Sequence, residues 1–251
     1  MLAGRNGRTV VVSTKSSPTD VVTEMDQAAE LLIRQRILAR RPGDAILGEE
    51  GGQTGAGGRV RWVVDPLDGT VNYLYGLPDW AVSIAAETDG QIVAGAVCVP
   101  GRDTMYYARL GGGAWRVSLA SGGAPERLAC NAGVPLDRAL VATGFGYDPG
   151  RRLVQGQVVS AVLPRVRDIR RNGAAAVDLC LLAAGKVDGY YERGVQYWDI
   201  AAGSLIAREA GAIVAGLAGK PAGPELTIGG GPGLFSELHD LLLSLDPERD
   251  A

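Results

Sequence analysis

The hydrophobic positions of the chain change their spacing from segment to segment, and that spacing predicts the elements. Apolar residues recur at helical intervals between Thr23 and Arg41, and Thr23 is a suitable N-cap. Short apolar runs that end at polar or glycine residues predict strands. Two such runs flank Asp89-Gly90, which is a strong hairpin signal. The first half therefore reads as one helix followed by a largely antiparallel sheet.

After about residue 130 the pattern becomes an alternation of helix and strand. Strands are expected over 61–64, 81–87, 91–99, 104–108, 114–119, 139–143, 189–192 and 212–215. Helices are expected over 23–41, 151–163, 173–184, 199–210 and 234–245. Glycine-rich loops are expected over 50–58 and 216–224. This order predicts an α+β or mixed α/β fold in which helices and sheets are layered in one body.

Composition restricts the chemistry more than the fold. The chain has 251 residues, a net charge of −3 and a single histidine, His239, which we expect on the surface of the last helix. A serine–histidine triad or a histidine-rich zinc site would have to use that one residue. The weakly acidic balance argues against nucleic-acid binding. We interpret the four arginines within 165–171 as a solvated edge or a subunit contact.

The cysteines and the lengths of the apolar runs indicate the compartment. Three cysteines lie far apart, and no C-x-x-C pair occurs, so we expect reduced thiols in a cytoplasmic protein. No apolar run approaches the roughly 20 residues that a membrane span needs. Residues 1–12 contain too short an apolar stretch for a signal peptide. No membrane association is therefore expected.

The most informative segment is an apolar strand that leads into Asp65 and Asp68. Carboxylates directed at one spot repel each other unless a cation neutralises them, and hard oxygen ligands suit Mg²⁺. Gly69 and Thr70 follow and offer backbone N–H groups to an anion. Metal ligands beside an anion site indicate phosphate chemistry. The alternative is an Asx-type turn with two solvated aspartates.

Two further acidic features carry less information when each is taken alone. Glu49 and Glu50 follow a short apolar strand, and paired glutamates are common on protein surfaces. Asp199 lies at the start of a predicted helix, where N-capping explains it as well as metal binding does.

Together and in this order, these segments resemble the inositol monophosphatase family of Mg²⁺-dependent, lithium-sensitive phosphatases. The landmarks are residues 15–20 with 22–26, 48–50, 65–70, and 198–199 with 201–203. Four landmarks at compatible separations are far more specific than one acidic pair. The resemblance covers about 15–209 and implies a layered αβαβα sandwich. It also implies a single catalytic domain over 9–251, with sublobes of roughly 9–130 and 131–251.

The resemblance implies that two to three Mg²⁺ ions bind at the acidic landmarks. Their ligands would be Glu49, Asp65, Asp68 and Asp199, with the backbone carbonyl of Leu67. Thr70 and Glu49 would orient and activate the attacking water. Asp26 would support that water without binding metal, and Lys15 would approach the ions.

The resemblance also implies how the substrate is held. Phosphate oxygens would bind the backbone N–H groups of Gly69 and Thr70. A sugar-like ring would contact Glu192, Gly173, Ala174 and Ala175. Several inositol phosphatases carry threonine at the position of Ala174, so one hydroxyl contact to the ring is lost here. The expected partners are a small phosphorylated polyol or sugar and a second copy of the chain in a homodimer.

Departures from the family pattern leave alternatives open. Few residues precede Lys15, so the family's first helix is expected to be missing or shortened. The loop over 50–59 is short and rich in glycine. The leading function is hydrolysis of inositol-1-phosphate or a related polyol or sugar phosphate. The alternatives are fructose-1,6-bisphosphatase, histidinol-phosphate phosphatase, a metal-binding protein without chemistry, and a regulatory binding protein on the same scaffold.

Overall fold

The first half of the chain forms a helix and an eight-stranded sheet. The computed structural model describes residues 11–14, 21–55 and 58–250. Within them, strands β1 (Val11–Thr14) and β2 (Val21–Thr23) pair antiparallel and lead into helix α1 (Glu24–Arg40). The sheet contains β3 (Ala45–Gly48), β4 (Gly52–Thr54), β5 (Arg61–Asp68), β6 (Ala81–Thr88), β7 (Gln91–Val99), β8 (Thr104–Arg109), β9 (Ala114–Ser118) and β10 (Glu126–Arg127). Its order is β10-β9-β8-β7-β6-β5-β3-β4, and the β3–β5 pair is parallel.

The second half forms a five-stranded sheet between helices. Its strands are β11 (Leu140–Thr143), β12 (Asp168–Arg170), β13 (Gly189–Glu192), β14 (Ile213–Ala215) and β15 (Thr227–Gly230), in the order β12-β11-β13-β15-β14. The remaining helices are α2 (Thr70–Tyr75), α3 (Pro149–Val162), α4 (Ala175–Ala183), α5 (Tyr197–Glu209) and α6 (Leu234–Leu245). Strand β11 runs parallel to both β12 and β13.

Helices α4 and α5 form the layer between the two sheets. Helix α5 packs on β5 to β9 and on β14, while α4 contacts β6 and β7 as well as β13 and β15. A Cβ on Gly95 of β7 would lie 2.9 Å from Cα of Ala202, so α5 lies directly on the larger sheet. Helix α1 packs on β5, and α3 and α6 pack together on the smaller sheet. The layers follow the predicted αβαβα order.

Most of the predicted elements are confirmed, with boundaries shifted by a few residues. Helix α1 begins after Thr23, whose side chain accepts a hydrogen bond from the Met25 N–H. Asp89 and Gly90 both have positive φ, of 53° and 76°, as a hairpin of this length requires. The helix expected from 173 begins at Ala175, because Gly173 has a φ of 90° and cannot belong to it.

Two predictions about the loops and strands were wrong, and two short strands were missed. The strand expected over 61–64 continues to Asp68. Its register with β6 is irregular between Asp65 and Asp68, and an irregularity of this kind changes the direction of a strand. The glycine-rich loop over 50–58 contains strand β4, which pairs with β3. Strands β12 and β15 were not predicted, because each contains a single large apolar residue, Ile169 and Ile228, and so shows no apolar run.

Two expectations fall on the edges of the described chain. Lys15 and the shortened first helix concern residues that lie outside the described ranges. None of the helices within those ranges combines the length and the apolar character that a membrane span needs. The three cysteines are all free thiols, as predicted.

Candidate metal and phosphate site

A cavity of about 440 Å³, lined by residues of both sheets, brings most of the predicted site residues together. Its wall includes Glu49, Asp65, Leu67, Asp68, Gly69, Thr70, Gly173, Ala175, Glu192 and Asp199. Asp26 and Ala174 are buried and lie outside that wall. His239 lies elsewhere, on α6, where its ring stacks on Phe235.

The end of β5 directs two carboxylates into the cavity. Asp65 Oδ1 accepts a hydrogen bond from the Leu67 N–H at 2.9 Å, which stabilises the irregular turn of the strand. Asp68 Oδ2 accepts one from the Ala176 N–H at 2.7 Å, in the first turn of α4. The positive end of that helix therefore faces Asp68 and favours its charged form. Both side chains are fixed by backbone donors, unlike the solvated aspartates of the alternative interpretation.

The acids of the cavity share one electrostatic field. Burial raises the pKa of Asp65 well above its usual value, and repulsion from Glu49, Asp68 and Asp199 raises it further. A hydrogen bond between the Asp65 and Glu49 side chains acts in the same direction. Burial and then repulsion from Asp199 also raise the pKa of Asp68. Such a cluster has excess negative charge that a divalent cation would neutralise.

The oxygen atoms that line the cavity are of the chemical type that a hard cation binds. Four carboxylates and the Leu67 residue line one cavity, and carboxylate and carbonyl oxygens are what Mg²⁺ prefers. As the described side chains stand, no three His, Cys, Asp or Glu groups are already drawn together at metal-binding geometry. Small side-chain movements would be needed to close a coordination sphere.

Helix α1 fixes the turn that carries Glu49. The buried Glu30 carboxylate accepts hydrogen bonds from the Glu50 and Gly51 N–H groups, both at 2.8 Å. Arg34 donates to the same carboxylate at 2.7 Å. Glu30 was not singled out from the sequence, because one acid in an amphipathic helix carries no distinguishing signal. Its position gives it a role in orienting Glu49.

We expect the Glu30→Gln variant to bind divalent cations about tenfold more weakly, because groups that orient metal ligands typically contribute that much to affinity. The measurement is the Mg²⁺ concentration that gives half of the maximal thermal stabilisation. Glu24→Gln, an exposed position in the first turn of the same helix, is the control. If the Glu30→Gln variant needs the same Mg²⁺ concentration as the parent for half of the maximal stabilisation, Glu30 does not orient Glu49 for metal binding.

Thr70 connects the cavity to α1. Its hydroxyl lies 3.0 Å from both Asp26 Oδ1 and the Leu67 carbonyl oxygen. Asp26 Oδ2 accepts the Thr23 N–H at 2.8 Å, so this aspartate caps α1 and orients Thr70 at once. That arrangement agrees with a supporting role for Asp26, which lies behind Thr70.

Gly69 is required where it stands. It has a φ of 84° and precedes α2, and a Cβ there would lie 2.9 Å from the Asp79 carbonyl oxygen and 3.1 Å from Ala174 Cβ. Ala174 therefore packs beneath the Gly69 turn. A side chain at Gly69 would force apart the two segments that the cavity wall joins.

Asp199 lies in α5, but not at the N-cap as the sequence suggested. Helix α5 begins at Tyr197 with Gln196 as its N-cap, so Asp199 is the third residue of the helix. Its Oδ2 accepts the Gln196 N–H at 2.6 Å in a capping box. The Asp199 side chain thus caps the helix and also lies on the cavity wall, so capping and metal binding do not exclude each other.

Glu192 closes the cavity at the end of β13. The Tyr190 hydroxyl donates to its Oε2 at 3.0 Å. Burial raises the pKa of Glu192 to about 7, although the Tyr190 hydrogen bond and the charge of Arg171 oppose the rise. A carboxyl group held in this way can accept a hydrogen bond from a substrate hydroxyl.

A chain of amide hydrogen bonds joins the two sides of the wall. The Asn72 amide donates to the carbonyl oxygens of Asp79, at 2.5 Å, and of Asn172, at 2.7 Å. The Asn172 amide donates to Asp178 Oδ1 at 2.5 Å. Asp178 Oδ2 has no partner among the described residues, and burial raises the pKa of this carboxyl group to about 8. Asn72 therefore acts in shaping the wall.

Asp178 is expected to make the metal-free protein less stable as the pH rises. Its folded-state pKa lies above its ordinary value, so the folded chain holds the proton that the unfolded chain releases between about pH 4 and 8. Asp178→Asn should flatten the fall of the melting temperature in EDTA between pH 6 and 8. One group contributes at most about 1.4 kcal/mol per pH unit.

The pKa values of Glu192, Asp65 and Asp68 are also raised in the folded chain, so these groups too lower the stability as the pH rises. The informative quantity is therefore the difference in melting temperature between the Asp178→Asn variant and the parent at each pH. Asp137→Asn, at an exposed position, serves as the matched control. If Asp178→Asn follows the parent curve at every pH, the buried proton does not belong to Asp178.

The cavity also contains residues that the sequence did not single out. Phe145 and Tyr147 follow β11, and Arg151 lies in the first turn of α3. Arg171 belongs to the run that was interpreted as an edge or subunit contact, and that interpretation is wrong for this residue because it lines the cavity. The rule that ligands bind beyond the carboxyl ends of parallel strands would have pointed to the segment after β11.

Comparison with known proteins gives a consistent picture. The model of the inositol monophosphatase family matches residues 1–245. The inositol-1-monophosphatase SuhB of Mycobacterium tuberculosis is 48% identical over 233 residues, which cover 90% of this chain and 79% of that protein. A solved structure of M. tuberculosis SuhB has a TM-score of 0.78 at 45% identity, covering 89% of this chain and 85% of the other.

Two further relatives extend the comparison. The Thermotoga maritima IMPase TM1415 has a TM-score of 0.82 at 31% identity, covering 95% of this chain and 89% of that one. A protein of Vibrio cholerae named Nus factor SuhB is 39% identical over 211 residues, which cover 83% of this chain and 76% of that protein.

Proposed function

The chain belongs to the inositol monophosphatase family, and on that premise we propose that it is a Mg²⁺-dependent phosphatase of inositol-1-phosphate or a related polyol or sugar phosphate. The observation that carries the proposal is the convergence of Glu49, Asp65, Asp68 and Asp199 on one cavity beside Gly69 and Thr70. The raised pKa of Asp65 supports it, because burial and then the charges of Glu49, Asp68 and Asp199 disfavour a further negative charge there. Two to three ions per site would balance that charge.

We assign the metal ligands as Glu49, Asp65, Asp68, Asp199 and the Leu67 carbonyl. When bound, Mg²⁺ supplies an activated water and neutralises charge on the phosphoryl oxygens. The Thr70 hydroxyl, oriented by Asp26, holds the attacking water together with Glu49. The backbone N–H groups of Gly69 and Thr70 bind phosphate oxygens. No covalent protein intermediate is required, which agrees with the absence of a second histidine from the sequence.

The ring of the substrate would lie against the other wall. Glu192 accepts a hydrogen bond from a ring hydroxyl, and Gly173 and Ala175 line the cavity beside it, with Ala174 buried between them in the chain. Because position 174 lacks a hydroxyl, we expect weaker discrimination among polyol rings than a threonine there would give.

The decisive experiment is phosphate release from inositol-1-phosphate with and without Mg²⁺. We expect release that needs Mg²⁺ and is inhibited by lithium. No release from this substrate would direct the assay to fructose 1,6-bisphosphate and histidinol phosphate. Failure with all three, despite intact Mg²⁺ binding, would overturn the enzymatic proposal and leave a regulatory role, for which the name of the V. cholerae relative offers a precedent.

Three further expectations belong to this proposal. We propose one catalytic domain over 9–251, a homodimer, and a cytoplasmic location. Exposed leucines on α1, namely Leu31 and Leu32, offer an apolar surface that a second copy would cover. Sedimentation tests the dimer, and a monomer at the chain mass of 26.1 kDa would reject it.

A further inference from the structure

Glu192, the residue proposed to contact a ring hydroxyl, lies where two neighbouring strands end. Strands β11 and β13 run parallel, and their register places Glu192 beside Gly144, directly after the last pair. From there both segments line the cavity, over 145–148 and 192–196. The distance between these two segments therefore helps to set where the Glu192 carboxyl group stands.

Gly144 leaves the space that this carboxyl group occupies. A Cβ at position 144 would overlap the Glu192 side chain at Cδ and at both oxygen atoms. From its own strand, the Tyr190 hydroxyl donates to the same group, 3.0 Å from Oε2. The carboxyl group is thus held between a tyrosine hydroxyl and the bare backbone of a glycine.

Gln155 of α3 joins the two segments that line the cavity. Its Oε1 accepts a hydrogen bond from the Gly146 N–H at 3.1 Å, and its Nε2 donates to the Arg193 carbonyl oxygen, also at 3.1 Å. The residue is buried, so water does not replace either bond. One backbone partner is a donor and the other is an acceptor, and a side-chain amide has both functions. Gln155 therefore fixes the segment after β11 to the residue that follows Glu192.

Position 193 is held from the other side as well. The Arg193 guanidinium donates to the backbone carbonyl oxygens of Pro247 at 3.3 Å and of Arg249 at 2.5 Å. Its side chain is only 12% exposed. The residue after Glu192 is thus fixed through both its carbonyl oxygen and its side chain, which restricts how far Glu192 can move along the wall.

We propose that Gln155 and Gly144 are positioning residues that hold the Glu192 carboxyl group against a ring hydroxyl, and so give the site a preference for hydroxylated rings over other phosphate esters. The proposal rests on the proposed phosphatase function and deepens it. Neither Gln155 nor Gly144 lines the cavity, so both act through Glu192. A displaced carboxyl group loses this contact, because a hydrogen bond weakens steeply as its two oxygen atoms move apart or out of line.

The test compares two substrates that differ in the hydroxyls of the ring. Inositol-1-phosphate carries them, whereas 4-nitrophenyl phosphate has none and has a good leaving group, which keeps its hydrolysis measurable. The ratio of their kcat/KM values reports the contacts to the hydroxyls. Gln155→Met keeps the length of the side chain and removes both hydrogen bonds. We expect it to lower the ratio about tenfold, the value of one hydrogen bond to a charged group.

A double-mutant comparison shows whether Gln155 acts through Glu192. Glu192→Ala should lower the ratio at least as far as Gln155→Met does. In the Glu192→Ala background, Gln155→Met should leave the ratio unchanged, because the contact is already lost. Gln91→Met, at an exposed position in β7, is the matched control and should keep the parent ratio.

Gly144→Ala tests the same position without removing a buried hydrogen bond. The φ of Gly144 is not positive, so the backbone accepts alanine, and the added Cβ must displace the Glu192 carboxyl group. We expect a fall in the ratio comparable to that of Gln155→Met, in a protein whose melting curve shows that it is folded. This variant decides the test by itself if Gln155→Met does not fold.

Equal losses with both substrates in Gln155→Met would show that Gln155 supports only the fold, and would overturn its positioning role. A further fall of the ratio in the Glu192→Ala background, or an unchanged ratio in Gly144→Ala, would also overturn the proposal. Absence of phosphate release from both substrates in the parent would instead reject the proposed hydrolysis of inositol-1-phosphate, so the two failures are distinguishable.

Discussion

Replacing Asp68 with asparagine is expected to lower kcat/KM for phosphate release on the order of 10³-fold, the loss that follows when about 4 kcal/mol of metal-assisted charge stabilisation is removed. Asp68 is bound to the N-terminus of α4 through Oδ2, and the proposal makes it a ligand of the metal. An asparagine retains an acceptor for the Ala176 N–H but not the negative charge. The fold should therefore survive while the chemistry does not.

The readouts are phosphate release under saturating Mg²⁺ and a melting curve of the same sample. Asp89→Asn is the matched control, because Asp89 lies in the exposed β6–β7 turn with a positive φ that asparagine also adopts. Activity within tenfold of the parent in Asp68→Asn would exclude Asp68 as an essential ligand. Loss of activity in the control would show that the assay reports stability.

The order of the elements was predictable because most helices and strands here are long enough to show a period. Helix α6 was predicted with its observed ends, 234–245, and β13 likewise as 189–192. The β5 boundary was missed because Pro66 reads as a strand terminator, whereas the strand accommodates it in an irregular register before Asp68. Proline has no N–H group to donate to a neighbouring strand, and the local sequence does not show whether the pairing with that strand can accommodate the loss.

The acidic half of the site was predictable for a different reason. Each ligand follows a short apolar strand or begins a helix, and the family landmarks fix their order along the chain. The rest of the site, namely Arg151, Arg171 and Glu30, was not predictable from the sequence. These residues reach the cavity or its ligands only through contacts between segments that are far apart in the chain. Glu30 contacts residues 20 and 21 positions further on, and no local pattern distinguishes it from a solvated helix residue.

Removing divalent cations is expected to lower the melting temperature by about 5–10 °C, the equivalent of about 2.7 kcal/mol when Mg²⁺ is present at a hundred times its Kd. The unfolded chain has no assembled carboxylate cluster, so Mg²⁺ stabilises the folded state by mass action. The comparison is a melting curve in millimolar Mg²⁺ against one in EDTA at pH 7.5. Equal temperatures would count against a metal site in this cavity.

Asp65→Asn separates metal binding from any general effect of salt. In EDTA the parent holds Asp65 buried against Glu49, Asp68 and Asp199, and that repulsion is destabilising wherever the acids are ionised. The neutral amide removes one charge and donates to Glu49, so the variant should melt higher than the parent in EDTA and gain less from Mg²⁺. A variant that melts lower in EDTA would mean that the four acids stabilise the metal-free fold. Their convergence would then need a structural explanation in place of a catalytic one.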